Sequence, residues 1–504
     1  MYNPNPFEFV PFKTRTTIDR AKWDAVKPIY SGWLEVTLTA LTPIHIVGKQ
    51  EPVNNRIGDK IASSSFYVED GVPTIPGSSI KGMLRAFLEA LTCGWVSQVN
   101  DEYPKVRGTR DTEGRHVGFG ALSNYPNEHR SSIPAHRWIA NPVISSMYKP
   151  DLSLGKVDVA TYMFGIVTEK ENSEAKANAL RSKVFVEDCP INPGQLSDIY
   201  EIPDIEGNSF MGGAHPSASS WWYMLPDEIW LRNTAGNILA EFVGLRYRGR
   251  KFYFHQKPDL CIEWYDQNWV RLNQRPDKPP IKYYKYKISC MRPQENAVFR
   301  IYIDRLPMHF FALLCLLLSP GQNIKHKLGY GKAYGYGSIK MEITNAHLRK
   351  EINANWPDPL SDRPSVVKAI VNGGFSSDNL NKYGISAFVD IPSLEILARI
   401  LGYHLDKPEQ QALIFTYPPF NKHNFSRPVY FNEIDNILMA KGIAAQPGFP
   451  FKYSMNQNLN GRSINYGYDI ANILLNCDVK RTIHLGVYQE NAIGYRDIIM
   501  RRTP

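Results

Sequence analysis

Several common devices are missing from this 504-residue chain. Its six cysteines, Cys93, Cys189, Cys261, Cys290, Cys315 and Cys477, form no CxxC pair and no zinc-ligand spacing. That pattern argues against a disulfide scaffold or a zinc module and fits a reduced, cytoplasmic protein. The opening residues, Met1 to Pro11, lack the basic and apolar regions of a secretory signal, so neither export nor membrane anchoring is expected. No apolar run approaches the roughly 20 residues that span a bilayer. Long low-complexity stretches and clear tandem repeats are also absent.

Two nucleotide motifs fail on spacing. The chain contains His326-Lys327-Leu328-Gly329-Tyr330-Gly331-Lys332-Ala333-Tyr334-Gly335-Tyr336-Gly337. A phosphate-binding P-loop needs Ser or Thr after Gly-Lys to hold magnesium, and Ala333 stands there. A dinucleotide fingerprint needs two residues between its second and third glycines, whereas three separate Gly331 from Gly335. What remains is glycine, lysine and tyrosine interleaved. Glycine lets a backbone approach a ligand closely, lysine neutralises phosphate, and tyrosine stacks on bases. The competing reading is a glycine-rich turn that only reverses the chain.

Patterning places that loop between a helix and a strand. Leu306 to Gly321 carries an all-round apolar run closed by Pro320-Gly321, which predicts a buried helix. Val298 to Ile303 precedes it as a strand, and alternation from Tyr336 to Ile343 predicts another. A matching unit opens the chain. Trp33 to Thr39 alternates as a strand, and Ile75-Pro76-Gly77-Ser78-Ser79-Ile80-Lys81-Gly82-Met83-Leu84-Arg85 begins a helix. There Ser78 or Ser79 is placed to cap, and Ile80, Met83, Leu84, Phe87, Leu88 and Leu91 share one face. Lys81 and Arg85 fall on the other face, making its N-terminus a candidate phosphate seat; the alternative is a capped helix with solvated cations.

Together with Val157-Asp158-Val159-Ala160-Thr161-Tyr162-Met163-Phe164-Gly165 and Lys183-Val184-Phe185-Val186-Glu187-Asp188, these segments resemble the RAMP superfamily of type III CRISPR effector proteins. Arg248-Gly249-Arg250-Lys251-Phe252-Tyr253 resembles a strand of its longer members. The resemblance covers roughly residues 30 to 345. It implies an α+β fold with a ferredoxin-like or RRM-like β-α-β-β-α-β core. It also implies a backbone subunit that binds guide RNA, meets complementary target RNA and contacts other type III effector subunits. On this reading residues 1–345 form the RAMP domain, with an insertion at about 190–295, and 346–504 form a C-terminal extension of unknown fold. A net charge of +9 suits an anionic partner.

Candidate RNA contacts are therefore Ser78, Ser79, Lys81, Arg85, His326, Lys327, Gly329, Tyr330, Gly331, Lys332, Tyr334, Gly335, Tyr336 and Gly337. In the insertion, Arg246, Arg248 and Arg250 alternate onto one strand face able to track a phosphate backbone, or to protect a sheet edge. Trp221 and Trp222 read as core or interface anchors more readily than as base platforms. The resemblance also implies that a loop aspartate after the first strand can place Mg2+ beside a target phosphate. Asp59 occupies the matching interval and is the candidate catalytic residue, with a solvated loop carboxylate as the alternative. No tightly bound cofactor is expected, and Mg2+ only if the chain cuts RNA. Metal-free guide-RNA processing by paired histidines is a second catalytic class, with His45, His129, His136, His215, His255 and His326 available. A non-catalytic scaffold is the favoured reading.

Overall fold

A computed structural model describes residues 6–13, 16–52, 61–95, 152, 155–167, 179–205, 224–234, 237–247, 249–273, 283–321, 323–352, 359–403, 405 and 414–415, plus four two-residue strands between 105 and 134. Asp59, Arg248, Trp221, Trp222, His129, His136 and His215 lie outside the described residues.

Six elements build the centre: β1 (Ile29–Ala40), α1 (Gly77–Leu91), β2 (Val184–Val186), β3 (Asn296–Pro307), α2 (Met308–Leu318) and β4 (Ser338–Glu351). Their strands pair in the order β2-β3-β1-β4, every neighbour antiparallel. Alternation sorts each strand. Leu34, Val36, Leu38 and Ala40 of β1, with Phe299, Ile301 and Ile303 of β3, are buried, while Arg300 and Tyr302 point to the opposite face. The buried side receives both helices, because one apolar sheet face must be covered by an apolar helix stripe.

α2 is apolar all round for a structural reason. It lies against the sheet and against α1, and the helix Pro364–Gly373 covers it from outside. Residues Phe310 to Leu318 are all buried. Each of its buried Phe and Leu side chains contributes about 1.5–3 kcal/mol when removed from water. Val367, Ile370, Leu380, Leu397 and Ile400 join the same core, so packing continues well past residue 345.

The insertion carries a second sheet. Leu196–Ile205 pairs with Tyr283–Met291, which runs parallel to Ile61–Phe66, and Val47–Pro52 closes the edge. A smaller core forms on it from Ile202, Cys261, Tyr265, Tyr286, Ile288, Cys290, Tyr334 and Tyr336. Met224–Thr234 pairs with Asn237–Tyr247 as a separate two-stranded ribbon. Arg250–Tyr253 instead pairs with the N-terminal strand Phe7–Val10. The described cysteines are buried and unpaired. No helix among the described residues is long and apolar enough to cross a membrane.

Candidate nucleic-acid interface

The start of α1 differs from its sequence-based reading. Pro76 occupies the N-cap position, so Ser78 and Ser79 lie inside the first turn and cap nothing. The Gly77 N–H donates to the Asp188 carboxylate at 2.7 Å. A carboxylate at this helix terminus already answers the partial positive charge that a phosphate would seek. Ser78 is exposed and Ser79 half-buried.

The cations on α1 divide. Lys81 donates to Ser182 Oγ at 3.1 Å, and burial, then the Arg85 charge, lower its pKa. Arg85 turns inward. Its Nε pairs with Glu89 at 2.8 Å, while its other nitrogens donate to Gly165 O and Thr161 Oγ1. Glu89 also faces Arg250 Nε at 3.6 Å, and Arg250 donates to Gly94 O and Trp95 O, both at 2.8 Å. Asp158 stands beside this group as the cap of Val159–Phe164, accepting from Trp95 N and Thr161 N at 3.0 Å. Desolvation raises its pKa. Arg85 and Arg250 are thus ties of a buried ion network: Arg85 donates to Glu89, Gly165 and Thr161, while Arg250 gives Nη2 to two carbonyls and its Nε meets Glu89 only as a charge. Arg246 is placed by register opposite Leu225.

The glycine loop uses most of its chemistry on itself. Gly337 takes φ +75°, and a Cβ there would sit 1.9 Å from Leu328 O; at Gly329, φ +81°, one would sit 2.4 Å from His45 O. These glycines permit contact with the protein's own backbone. The Leu328 and Tyr330 N–H groups donate to Gly337 O and His45 O, those of Tyr334 and Tyr336 to Gly331 O, and that of Gly337 to Pro43 O. Tyr334 and Tyr336 are buried, their hydroxyls donating to Pro203 O at 3.3 Å and Glu201 O at 2.9 Å. Neither presents a face for a base. Gly335 caps the 3-10 turn Lys332–Tyr334 in a left-handed conformation.

His326 is also inward. Its Nε2 lies 2.7 Å from Leu317 O, and burial pushes its pKa down to about 4, so it is neutral and its proton is committed to that carbonyl. His45 is held by Ser289 O at 2.7 Å and Ser64 Oγ at 3.0 Å, as a satisfied core histidine. His255 is buried against Ser338 Oγ. Lys327 is fully enclosed, its ammonium donating to Gly335 O, Tyr336 O and Ser338 Oγ at 3.1, 2.8 and 3.2 Å. It staples the loop shut.

What the loop does offer is one wall of a groove of about 620 Å3. Lys327, Gly329, Tyr330 and Lys332 line it on the loop side; Ser79, Gly82, Met83, Ala86 and Phe87 line it from α1. Lys251, Phe252 and Tyr253 contribute the strand side, and Tyr67 stands at the helix entry. Among the described residues, three lysines and no carboxylate line it. Burial and the neighbouring Lys332 charge hold Lys251 down to about 8, and burial also lowers the Lys332 pKa. The Lys251 ammonium sits 4.0 Å from the Phe7 ring centre and 4.9 Å from that of Tyr253. A desolvated cation cluster of this kind is stabilised by an arriving anion.

Lys251 was not a sequence candidate, although a signal existed. The alternation that puts Arg246, Arg248 and Arg250 on one strand face puts Lys251 and Tyr253 on the other. No cluster of three metal-ligating side chains occurs among the described residues.

No curated protein matches the chain. The crystal structure of Csc2 from Thermofilum pendens aligns over 75% of this chain and 83% of its own, at 10% identity and a TM-score of 0.24. A family model described as the RAMP superfamily matches residues 37–340, which take in the end of β1, then α1, β2, β3, α2, the glycine loop and the described groove lining except Leu401. The chain belongs to the RAMP superfamily.

Proposed function

We propose that this protein is a guide-RNA-binding backbone subunit of a type III CRISPR ribonucleoprotein, acting in RNA-guided recognition of complementary target RNA during antiviral defence. The observation that carries the reading is the groove between α1, the glycine loop and Arg250–Tyr253, which gathers Lys251, Lys327 and Lys332 with no carboxylate among its described lining residues. Family membership supports it, and so does the antiparallel β2-β3-β1-β4 order with a helix in each crossover, which fits the ferredoxin-like, RRM-like core that the resemblance implies. Phosphate contacts hold the strand and carry little sequence information, so a subunit of this kind tolerates any guide sequence.

Purification of the tagged full chain from its native host tests this. The expected result is a discrete guide RNA and further effector subunits in the eluate, the RNA released by high salt. A monomer free of nucleic acid would overturn the reading.

Cleavage is a separate property, and Asp59 remains its sequence-derived candidate. If Asp59 places Mg2+ at a target phosphate, Asp59→Asn in the assembled complex removes one band from the product ladder of complementary RNA while guide and target stay bound. An unchanged ladder leaves the subunit a scaffold.

A further inference from the structure

We infer that the groove beside α1 is a nucleotide slot, which seats one base of the bound strand against the bare backbone of Gly82 while Lys251 and Lys332 hold that nucleotide's phosphate. The inference rests on the guide-RNA reading and adds a base-binding function to it.

Gly82 is the first observation. It lies inside α1 with ordinary helical backbone, where glycine weakens a helix relative to alanine. Each other described glycine with open space around its missing Cβ has a left-handed φ that explains it. Gly82 has neither reason: a Cβ there would meet nothing within 4 Å. The unused space opens on the groove, and Ser79 and Ala86, three residues before and four after, extend the same small-residue floor.

The second observation is Lys332. Lys327 is spent on the loop's carbonyls, whereas Lys332 makes no hydrogen bond or ion pair with any described residue, although its ammonium lines the groove and burial lowers its pKa. A desolvated cation without an acceptor, next to Lys251, is built for an anion.

Lining chemistry decides which anion. Met83, Phe87, Phe252 and Leu328 supply apolar surface, so a bare phosphate would leave most of the slot unmatched. At about 620 Å3 it lies within the size range of small-molecule sites, ample for one nucleotide. A flat apolar base with a single negative charge attached meets both halves.

The test uses the full chain and a set of synthetic single-stranded RNAs, each with one abasic position, alongside Gly82→Phe. The substitution fills the floor at a position where an added Cβ meets nothing within 4 Å, and phenylalanine suits a helix better than glycine, so the variant should melt no lower than the parent. One abasic position should weaken binding to the parent by roughly five- to a hundredfold, the range of single base-stacking losses. Gly82→Phe should erase that position's advantage and keep the salt dependence. A flat abasic scan with normal, salt-sensitive binding would overturn the slot and leave the guide-RNA reading intact. Absence of RNA binding would overturn both. Tight binding of adenosine monophosphate to RNA-free protein, undisturbed by added RNA, would show that the slot serves a free nucleotide and so overturn the strand as its occupant.

Discussion

Replacing Arg85 with Ala, or Glu89 with Ala, is expected to cost about 3–5 kcal/mol of folding stability, the usual loss when one member of a buried ion pair is removed. Side chains of Arg85 and Glu89 are only 16% and 8% exposed. Glu89 answers two guanidinium groups, so its loss strands both Arg85 and Arg250 in low dielectric. Denaturant titration is the measurement, with the midpoint shifting at constant slope. Guide retention by the folded fraction of Arg85→Ala should match the parent, because its donors are occupied by Glu89, Gly165 and Thr161. An unmoved midpoint with lost RNA binding would return Arg85 to the interface and undo the structural assignment.

RNA affinity should fall as pH rises from 7 to 9, and the fall should vanish in Lys251→Ala/Lys332→Ala. Lys251 titrates near 8, so its ammonium is present at pH 7 and largely lost by pH 9, taking its attraction for phosphate with it. The same shift has the opposite sense for folding. Between about 8 and the ordinary value of 10.5 the unfolded chain holds a proton that the folded chain has released, so the RNA-free protein gains stability as pH climbs through that window. The double variant loses two charged contacts, each worth about 1.5–3 kcal/mol, or more than tenfold in affinity. Its salt slope should drop by about 0.7, since the two lysines share one phosphate and a single-strand phosphate contact contributes roughly 0.7. Filter binding across pH and salt measures both. A parent whose affinity is flat from pH 7 to 9 would remove Lys251 from the interface.

Much of the fold was legible because it is written in periodicity. Leu34, Val36 and Leu38, like Phe299, Ile301 and Ile303, alternate strictly, and α2 announces its burial by having no polar face. The interface was harder, because residue type does not state direction. Arg85 looks like a solvent-facing cation until Gly165 and Thr161, far along the chain, arrive to take its protons. Lys327 and Lys332 lie in one loop, yet the first is swallowed by carbonyls of residues 335 and 336 and only the second stays available. Tyr334 and Tyr336 read equally well as base platforms or as packing, and only the arrival of Leu196–Ile205 settles them as packing. Each of these outcomes depends on a partner distant in sequence, and local pattern carries no record of it.

The satellite core has a consequence for anyone wishing to shorten this chain. Residues 190–295 invite excision as an ornament on a smaller domain. Yet the backbone carbonyls of Glu201 and Pro203 are what Tyr336 and Tyr334 hang from, and Lys251 itself lies inside that stretch. A minimised version would lose the frame that holds Lys332 in place and the cation beside it, and with them Arg250's tie to Glu89 and the side chains of Ile191, Phe254 and Met291 in the main core. Size reduction here is therefore bounded twice, by the cations at the groove and by the packing of the central core.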